Sequence, residues 1–334
     1  MEEKVKRSIR TDMADESRVV GAGARARTDD GGFGEGIQVE HDGDEEVSIT
    51  RVHVNTPEGE QKVGKPMGTY ITMDIPGIWQ KSRDLYEKSC RMLARELERL
   101  IHIDKKDTVL VVGLGNWNVT ADALGPRVAQ TVLVTRHIYE YLPKEVDENT
   151  RPVCAISPGV LGITGIETGH IIKGIVDNVK PALVIAIDAL ASRNMSRVNA
   201  SIQLANTGIA PGSGVGNKRA ALTRETLGVP VIAIGVPTVV DAATMVSDTL
   251  DLILDSMMEQ AGQGSQFYNM LSQIDRDEKY RMIIELLEPH TGNLVVTPKD
   301  TDEIVQYLTK LVANAINMAL HENIGPNDVD RFIQ

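Results

Sequence analysis

Hydrophobic and polar positions divide this chain into three stretches of different rhythm. Up to Gly36 no apolar period is sustained. Met1 to Arg10 is basic, Arg10-Thr11-Asp12-Met13-Ala14-Asp15-Glu16 turns acidic, and Gly21 to Gly36 is rich in Gly, Ala and Arg. Such a segment buries too little apolar surface to order itself, so a mobile or peripherally docked terminus is expected. Period-two alternation then predicts strands at Ile37 to Val39 and Val47 to Val54, around the acidic turn His41-Asp42-Gly43-Asp44, and at Tyr70 to Ile75, closed by Pro76-Gly77. From Trp79 to Ile101 the apolar residues Leu85, Cys90, Leu93, Leu97 and Ile101 recur at helical spacing.

The middle of the chain alternates short apolar runs with helical patterns. Strands are predicted at Thr108 to Val112, Val153 to Ile156, Ala182 to Ile187, Ser201 to Leu204 and Val229 to Ile234. Helices are predicted at about Pro126 to Tyr141, Ile166 to Val179 and Asp241 to Met258. Near-continuous Val, Ile and Leu runs separated by helices predict an α/β fold with a mainly parallel sheet covered on both faces. Residues 259–300 break the rhythm and read as a helical insertion before a final helix from Asp302 to Leu320.

Composition narrows the class. The 334 residues are 42% hydrophobic and 25% charged, as expected of a globular chain with a sizeable core. A formal charge of -12 argues against nucleic acid or anionic lipid as a direct partner. Two cysteines, Cys90 and Cys154, cannot build a disulfide framework. With no long apolar run and no signal-peptide pattern, a cytosolic enzyme is the expectation.

In an open α/β sheet, reactive groups collect at the carboxyl ends of the strands. Three loops qualify: Gly113 to Asp122, Ser157 to Gly162 and Asp188 to Arg193. If their strands are neighbours, Asp122 and Asp188 face one another across the crevice, with Asp188 at the point where its strand meets solvent. Two adjacent carboxylates do not both ionise cheaply, so one can take a proton from water while the other gives one to the leaving group. The bland alternative is helix capping by Asp122 and turn capping by Asp188.

Rival motifs fit less well. Gly113-Leu114-Gly115 starts a dinucleotide fingerprint, but Asn118 stands where its third Gly belongs. Gly212-Ser213-Gly214-Val215-Gly216-Asn217-Lys218 fails as a phosphate loop; a flexible loop or an anion-binding nest of N–H groups suits it better. His321-Glu322 lacks the second His of a zincin helix. Ser157, His170 and Asp188 could in principle form a nucleophile–base–orienter set, though Ser157-Pro158-Gly159 reads as an ordinary turn. Cys90 and Cys154 read as core residues.

Several of these loops together resemble a known family. Gly113-Leu114-Gly115-Asn116 with Thr120 to Pro126, Ser157 to Thr168, Ile187 to Arg193 and Asn206 to Asn217 resemble the germination proteases of endospore-forming bacteria. The resemblance runs from Arg10-Thr11-Asp12 to at least Asp248. It implies an endopeptidase that degrades small acid-soluble spore proteins in the cytoplasm of the forespore and spore core. It also implies a zymogen that removes its own propeptide, and a homotetramer. Thr11-Asp12-Met13-Ala14 matches the family's cleavage preference and places self-cleavage between Asp12 and Met13, although Ile9 stands where a further acidic residue is preferred. The implied organisation is a propeptide, 1–12, and one peptidase domain, 13–334, comprising N-terminal strands (36–76), an αβα core (105–258) and a helical insertion (259–300).

The resemblance further implies a three-layer αβα fold similar to the hydrogenase maturation endopeptidases, with Asp122 and Asp188 as an aspartic-type pair and no cofactor. Asn116, Glu167 and Arg193 are then expected to orient the pair or the substrate. Arg193, Arg197, Lys218 and Arg219 are candidates for receiving an acidic substrate residue. In the hydrogenase relatives the matching carboxylates bind nickel with a His. No His lies between Ile171 and Pro289 here, which leaves a metal-dependent peptidase using Asp122, Asp188 and His170 as the alternative. A non-catalytic binder of the spore proteins is the alternative outside enzymes.

Overall fold

The structure, a computed structural model, describes residues 36–210, 220–261, 265–273, 275–291 and 294–326. The expected cleavage point at Asp12–Met13, the Gly212–Asn217 loop, Lys218 and Arg219 lie outside the described residues.

Strands β1 (Ile37–Gly43) and β2 (Ser48–Val54) form a hairpin. Helix α1 (Pro57–Val63) follows, its first turn capped by Thr56, whose hydroxyl accepts from the Gly59 N–H. Next come β3 (Gly68–Asp74) and α2 (Arg83–Leu100). The core continues with β4 (Val109–Gly113), α3 (Leu124–Thr131), α4 (Arg136–Tyr141), β5 (Val153–Ile156) and α5 (Thr168–Val179). Then follow β6 (Leu183–Ser192), β7 (Ser201–Ala205), β8 (Val231–Asp241) and α6 (Ala242–Ala261). The chain closes with α7 (Gln266–Ser272), α8 (Arg276–Thr291), β9 (Val295–Val296) and α9 (Thr301–Leu320).

All these strands join one sheet, in the order β1-β2-β3-β7-β8-β6-β4-β5, with β9 on β8. Strands β5, β4, β6 and β8 run parallel. Strand β7 is antiparallel to β8, and β3 pairs antiparallel with β7, so the N-terminal strands extend the core sheet rather than standing apart from it.

Alternating side chains supply both faces of the sheet. Val109, Val111, Ile185, Ile187, Ile232 and Ile234 meet α2, α3 and α9 on one side. Leu110, Val112, Val184 and Ala186 meet Ile172 and Val176 of α5 on the other. This is the expected three-layer αβα arrangement. Helices α7 and α8 pack on α6. Among the described residues no helix is long and apolar enough to cross a membrane.

Several boundaries differ from the pattern-based expectation. Strand β1 runs through His41 and Asp42, because Arg51 on β2 draws Glu40 and Asp42 across the hairpin at 3.9 and 3.0 Å. The helix expected from Pro126 to Tyr141 is two helices. Between them Thr135 turns to the sheet: its N–H donates to the Val153 carbonyl at 2.9 Å, and its hydroxyl accepts from the Val153 N–H at 2.9 Å. Strands β6 and β8 run five and seven residues past their expected ends, forming a two-strand ribbon beyond the end of β4.

The carboxyl end of α9 is tied down by His321, which is buried and accepts the Arg151 N–H at its Nδ1 (3.2 Å). Burial lowers its pKa from 6.5 to about 4, with the Arg151 charge adding to the effect and the Leu133 backbone opposing it. The unfolded chain therefore binds the extra proton. Stability is complete above about pH 6.5 and falls as the pH drops from there toward 4. Urea unfolding across that window should lose up to about 3 kcal/mol through this group. A His321→Gln variant should show a correspondingly flatter slope; an unchanged slope would assign the acid sensitivity to other groups.

Candidate active site

The chain leaves β4 toward α3 on one face of the sheet and enters β6 from α5 on the other. A crevice forms where an open α/β sheet reverses its strand order in this way. Here it lies between the carboxyl ends of β4 and β6. Helix α3 comes close to the strands through paired glycines: a Cβ on Gly113 would sit 2.1 Å from the Gly125 carbonyl oxygen, and one on Gly125 would sit 2.2 Å from that of Leu114.

Asp122 ends a short 3-10 turn, Thr120–Asp122, in the loop between β4 and α3. It does not cap α3, since Ala123 occupies the N-cap without a side-chain bond. Instead its Oδ2 accepts the Asn116 N–H at 2.8 Å, and its carbonyl oxygen accepts from the same N–H at 3.1 Å. The turn packs on β6 and β8. Two threonines fix it: Thr238 donates to the Ala121 carbonyl at 2.6 Å, and Thr120 donates to Asp302, in the first turn of α9, at 2.9 Å. Gly115 makes the loop possible, with φ at +116° and a hypothetical Cβ 2.1 Å from the Asp122 carbonyl oxygen.

Asp188 corrects the expectation that it sits where a strand end meets solvent. It lies inside β6, only 5% exposed, beside the point where β4 stops. Its Oδ1 accepts the Ala189 N–H at 3.0 Å. Following Val184 and Ala186 in alternation, its side chain opens onto a cavity of about 220 Å³, also lined by Leu190, Gln203, Ala205, Ala233 and Gly235. A carboxylate buried in mid-strand is costly, which makes it a candidate for chemistry rather than packing. The crevice thus brings the turn bearing Asp122 onto the strand bearing Asp188.

The remaining expected residues are spread around this centre. Asn116 reaches Asp122 through its backbone N–H, while its own side chain accepts the Asn118 N–H at 3.0 Å. Glu167 occupies the N-cap of α5, its Oε1 buried without a hydrogen-bond partner among the described residues. Arg193 follows β6, half-buried. Arg197 pairs with Asp74 at 3.7 Å. His170 is exposed on α5, and no hydrogen bond joins it to Ser157, which corrects the nucleophile–base–orienter set. Among the described residues no three His, Cys, Asp or Glu side chains gather as a metal-holding group, so Asp122, Asp188 and His170 do not fit one. Burial pushes the Cys90 thiol up to about 12 and raises that of Cys154, in keeping with their reading as core residues.

Pattern reading missed the holders Thr238 and Asp302, the cavity-lining Gln203, and a set of exposed apolar side chains. Trp117 and Val119 stand in the loop after β4, Leu161 and Ile163 in a one-turn helix (Leu161–Thr164) after β5 with Ile166 just beyond it, and Met195 in a short 3-10 turn (Met195–Arg197) after β6. All lie at the carboxyl ends of parallel strands. The sequence signal was available: a tryptophan inside a Gly-Asn loop serves no core.

Comparison with known proteins addresses this arrangement. The family model described as germination protease matches residues 16–266 and 255–333. A germination protease of Clostridium perfringens is 49% identical over 326 residues, covering 98% of this chain and 99% of that protein. One from Bacillus mycoides is 40% identical over a 361-residue alignment, covering 98% and 97%. Among solved structures, a NiFe hydrogenase maturation protease from Thermococcus kodakarensis is 15% identical, covers 63% of this chain and 99% of its own, and superposes with a TM-score of 0.27. With matches of this identity over nearly its whole length, the chain belongs to the germination protease family, a family of peptidases.

Proposed function

We propose that this chain is an aspartic-type endopeptidase whose reacting groups are Asp122 and Asp188. The observation that carries the reading is the turn of Asp122, pinned by the Asn116 N–H and packed on the strand that buries Asp188. Asp122, with an N–H donor on its Oδ2, holds the negative charge and takes a proton from water. The water oxygen then bonds to the peptide carbonyl carbon. Asp188 gives its proton to the leaving nitrogen as the C–N bond breaks, so the two carboxyls end with roles exchanged and one proton still shared. Nothing in this route needs a covalent intermediate.

The substrates proposed are small acid-soluble spore proteins, in the cytoplasm of the forespore and spore core. Residues 1–12 are the proposed propeptide of a zymogen whose body, 13–334, assembles as a homotetramer. The resemblance of the loops and the substrate-like Thr11-Asp12-Met13-Ala14 support this. Intact mass and N-terminal sequencing after mildly acid incubation test it. Wild type should acquire a new terminus at Met13 while Asp122→Asn stays whole. Cleavage in both would remove Asp122 from the mechanism, and cleavage in neither would remove self-processing.

Gly115→Ala gives a separate check on the turn. The added Cβ meets the Asp122 carbonyl oxygen in a backbone region that L residues rarely adopt, so the carboxylate must move. Peptidase activity should fall more than about 10-fold, while unfolding free energy falls by only about 1–3 kcal/mol. Activity that follows stability alone would show that the turn does not position Asp122.

A further inference from the structure

A second hollow lies at the pole of the sheet opposite Asp122 and Asp188. It is a groove of about 700 Å³ between α2, the carboxyl end of α9 and the segments that lead into the amino ends of β4 and β5. Arg151, two residues before β5, forms part of its wall and is only 8% exposed. A guanidinium does not shed its charge, so burying one is costly unless a counter-charge accompanies it. Here Nη1 donates to the Asp104 carbonyl at 2.6 Å, Nε is sealed in without an acceptor, and among the described residues no carboxylate pairs with the group. Asp104 and Asp107 act on it only through longer-range charge, and burial outweighs them, lowering its pKa. That leaves Nη2 to donate into the groove. His321 beside it is 3% exposed, and its Nε2 also has no partner among the described residues.

The rest of the lining says what carries the missing counter-charge. Ala94, Met318, Leu320 and Ile324 form an apolar floor. Arg95, exposed on α2 and without an ion pair among the described residues, offers a second cation at the rim. Lys105 is already held by Glu322, and Arg91 by Glu87. Glu98 and Glu148 on the same rim oppose an anion of higher charge, such as inorganic phosphate. A single carboxylate on an apolar body satisfies all of these, and the planar fork of Arg suits it. We infer that the groove captures the carboxyl terminus of a short peptide whose last residue is apolar. The carboxylate sits on Arg151, and the last side chain rests on Met318, Leu320 and Ile324. Capture of a terminal carboxylate is a recurring mode of peptide recognition, and the volume is within the range of about 300–1,000 Å³ for ligand sites. A peptidase supplies such ligands itself, since each cut leaves a new carboxylate at a chain end. The groove is thus a product-binding site, remote from the crevice of the two aspartates.

Titration calorimetry on the full chain tests this with three probes: the tripeptide Ala-Ala-Leu, its carboxyl-terminal amide, and inorganic phosphate. Wild type should bind the free acid one to one, and the amide and phosphate at least about 10-fold more weakly. Arg151→Met should weaken the free acid about 10- to 100-fold and erase its advantage over the amide. Arg151→Lys, which keeps the charge without the fork, should recover part of that advantage. Ile324→Glu sets a carboxylate on the apolar floor and should cause the same loss; it decides the matter if Arg151→Met does not fold. A merely structural Arg151 would leave the ratio of acid to amide unchanged. Asp188→Asn should bind the free acid as wild type does. Binding lost in Asp188→Asn but kept in Arg151→Met would put the peptide in the crevice and overturn the inference. Phosphate bound as tightly as the peptide would overturn it in favour of a plain anion site, and so would a wild type that binds no free acid. Peptidase activity, measured alongside, stands or falls separately from each of these results.

Discussion

Asp188→Asn is expected to abolish cutting of the chain by itself and of any protein substrate, a loss of roughly 10³-fold or more, while the fold survives. The asparagine Oδ1 can still accept the Ala189 N–H that Asp188 accepts at 3.0 Å. The size of the side chain is unchanged in a position only 5% exposed. On the proposed mechanism, what is lost is the proton that Asp188 gives to the leaving nitrogen. Circular dichroism and thermal melting alongside the peptide assay separate chemistry from folding. Activity retained within a few-fold would remove Asp188 from the mechanism. Full activity after exhaustive chelation and dialysis would dispose of the metal-dependent alternative.

Glu96→Ala should be the most damaging substitution away from the site. Glu96, on α2, is 1% exposed and receives Arg51 of β2 through two bonds of 2.7 Å, from Nε and from Nη2. Its removal leaves a guanidinium buried with the half-exposed Asp42 as its remaining close partner, at 3.0 Å. Breaking one half of a buried pair costs about 3–5 kcal/mol, which for a chain of this size lowers the melting temperature by about 4–7 °C. The double variant Arg51→Met, Glu96→Leu should recover most of that loss, because neither charge is then stranded. A single variant as stable as wild type would mean that solvent reaches Arg51 and the pair contributes little.

The parts of the fold carried by side-chain periodicity were legible in the sequence. The runs in β4, β6 and β8 and the stripe of α2 identify themselves, since a buried strand or amphipathic helix needs apolar residues at those positions. Strand direction was not legible. Ser-Ile-Gln-Leu-Ala reads the same whether β7 runs parallel or antiparallel, and only the ladder with β3 and β8 decides. The extension of β6 through Ala189–Ser192 was hidden because Asp188 reads as a stop when it is in fact a buried interruption. Of the candidate site, the nearness of the loop bearing Asp122 to the strand bearing Asp188 was legible from the order of strands and loops. The backbone role of Asn116 and the positive φ of Gly115 were not, because both are properties of a turn rather than of a residue type. Gln203 was missed because a polar residue in mid-strand normally marks the solvent face.

The pairing of β3 with β7 has a consequence for the birth of this protein on the ribosome. Asp74 pairs with Ser201, so the first three strands wait for some 130 further residues before their apolar edge can be covered. At about 5–20 residues per second that is roughly 6–25 s. During this interval Ile71 and Met73, later among the most buried residues, are paired with β2 on one side and have no strand on the other. The nascent chain therefore offers an uncovered strand edge throughout that interval, and slowing translation between β3 and β7 should increase aggregation without changing the finished protein.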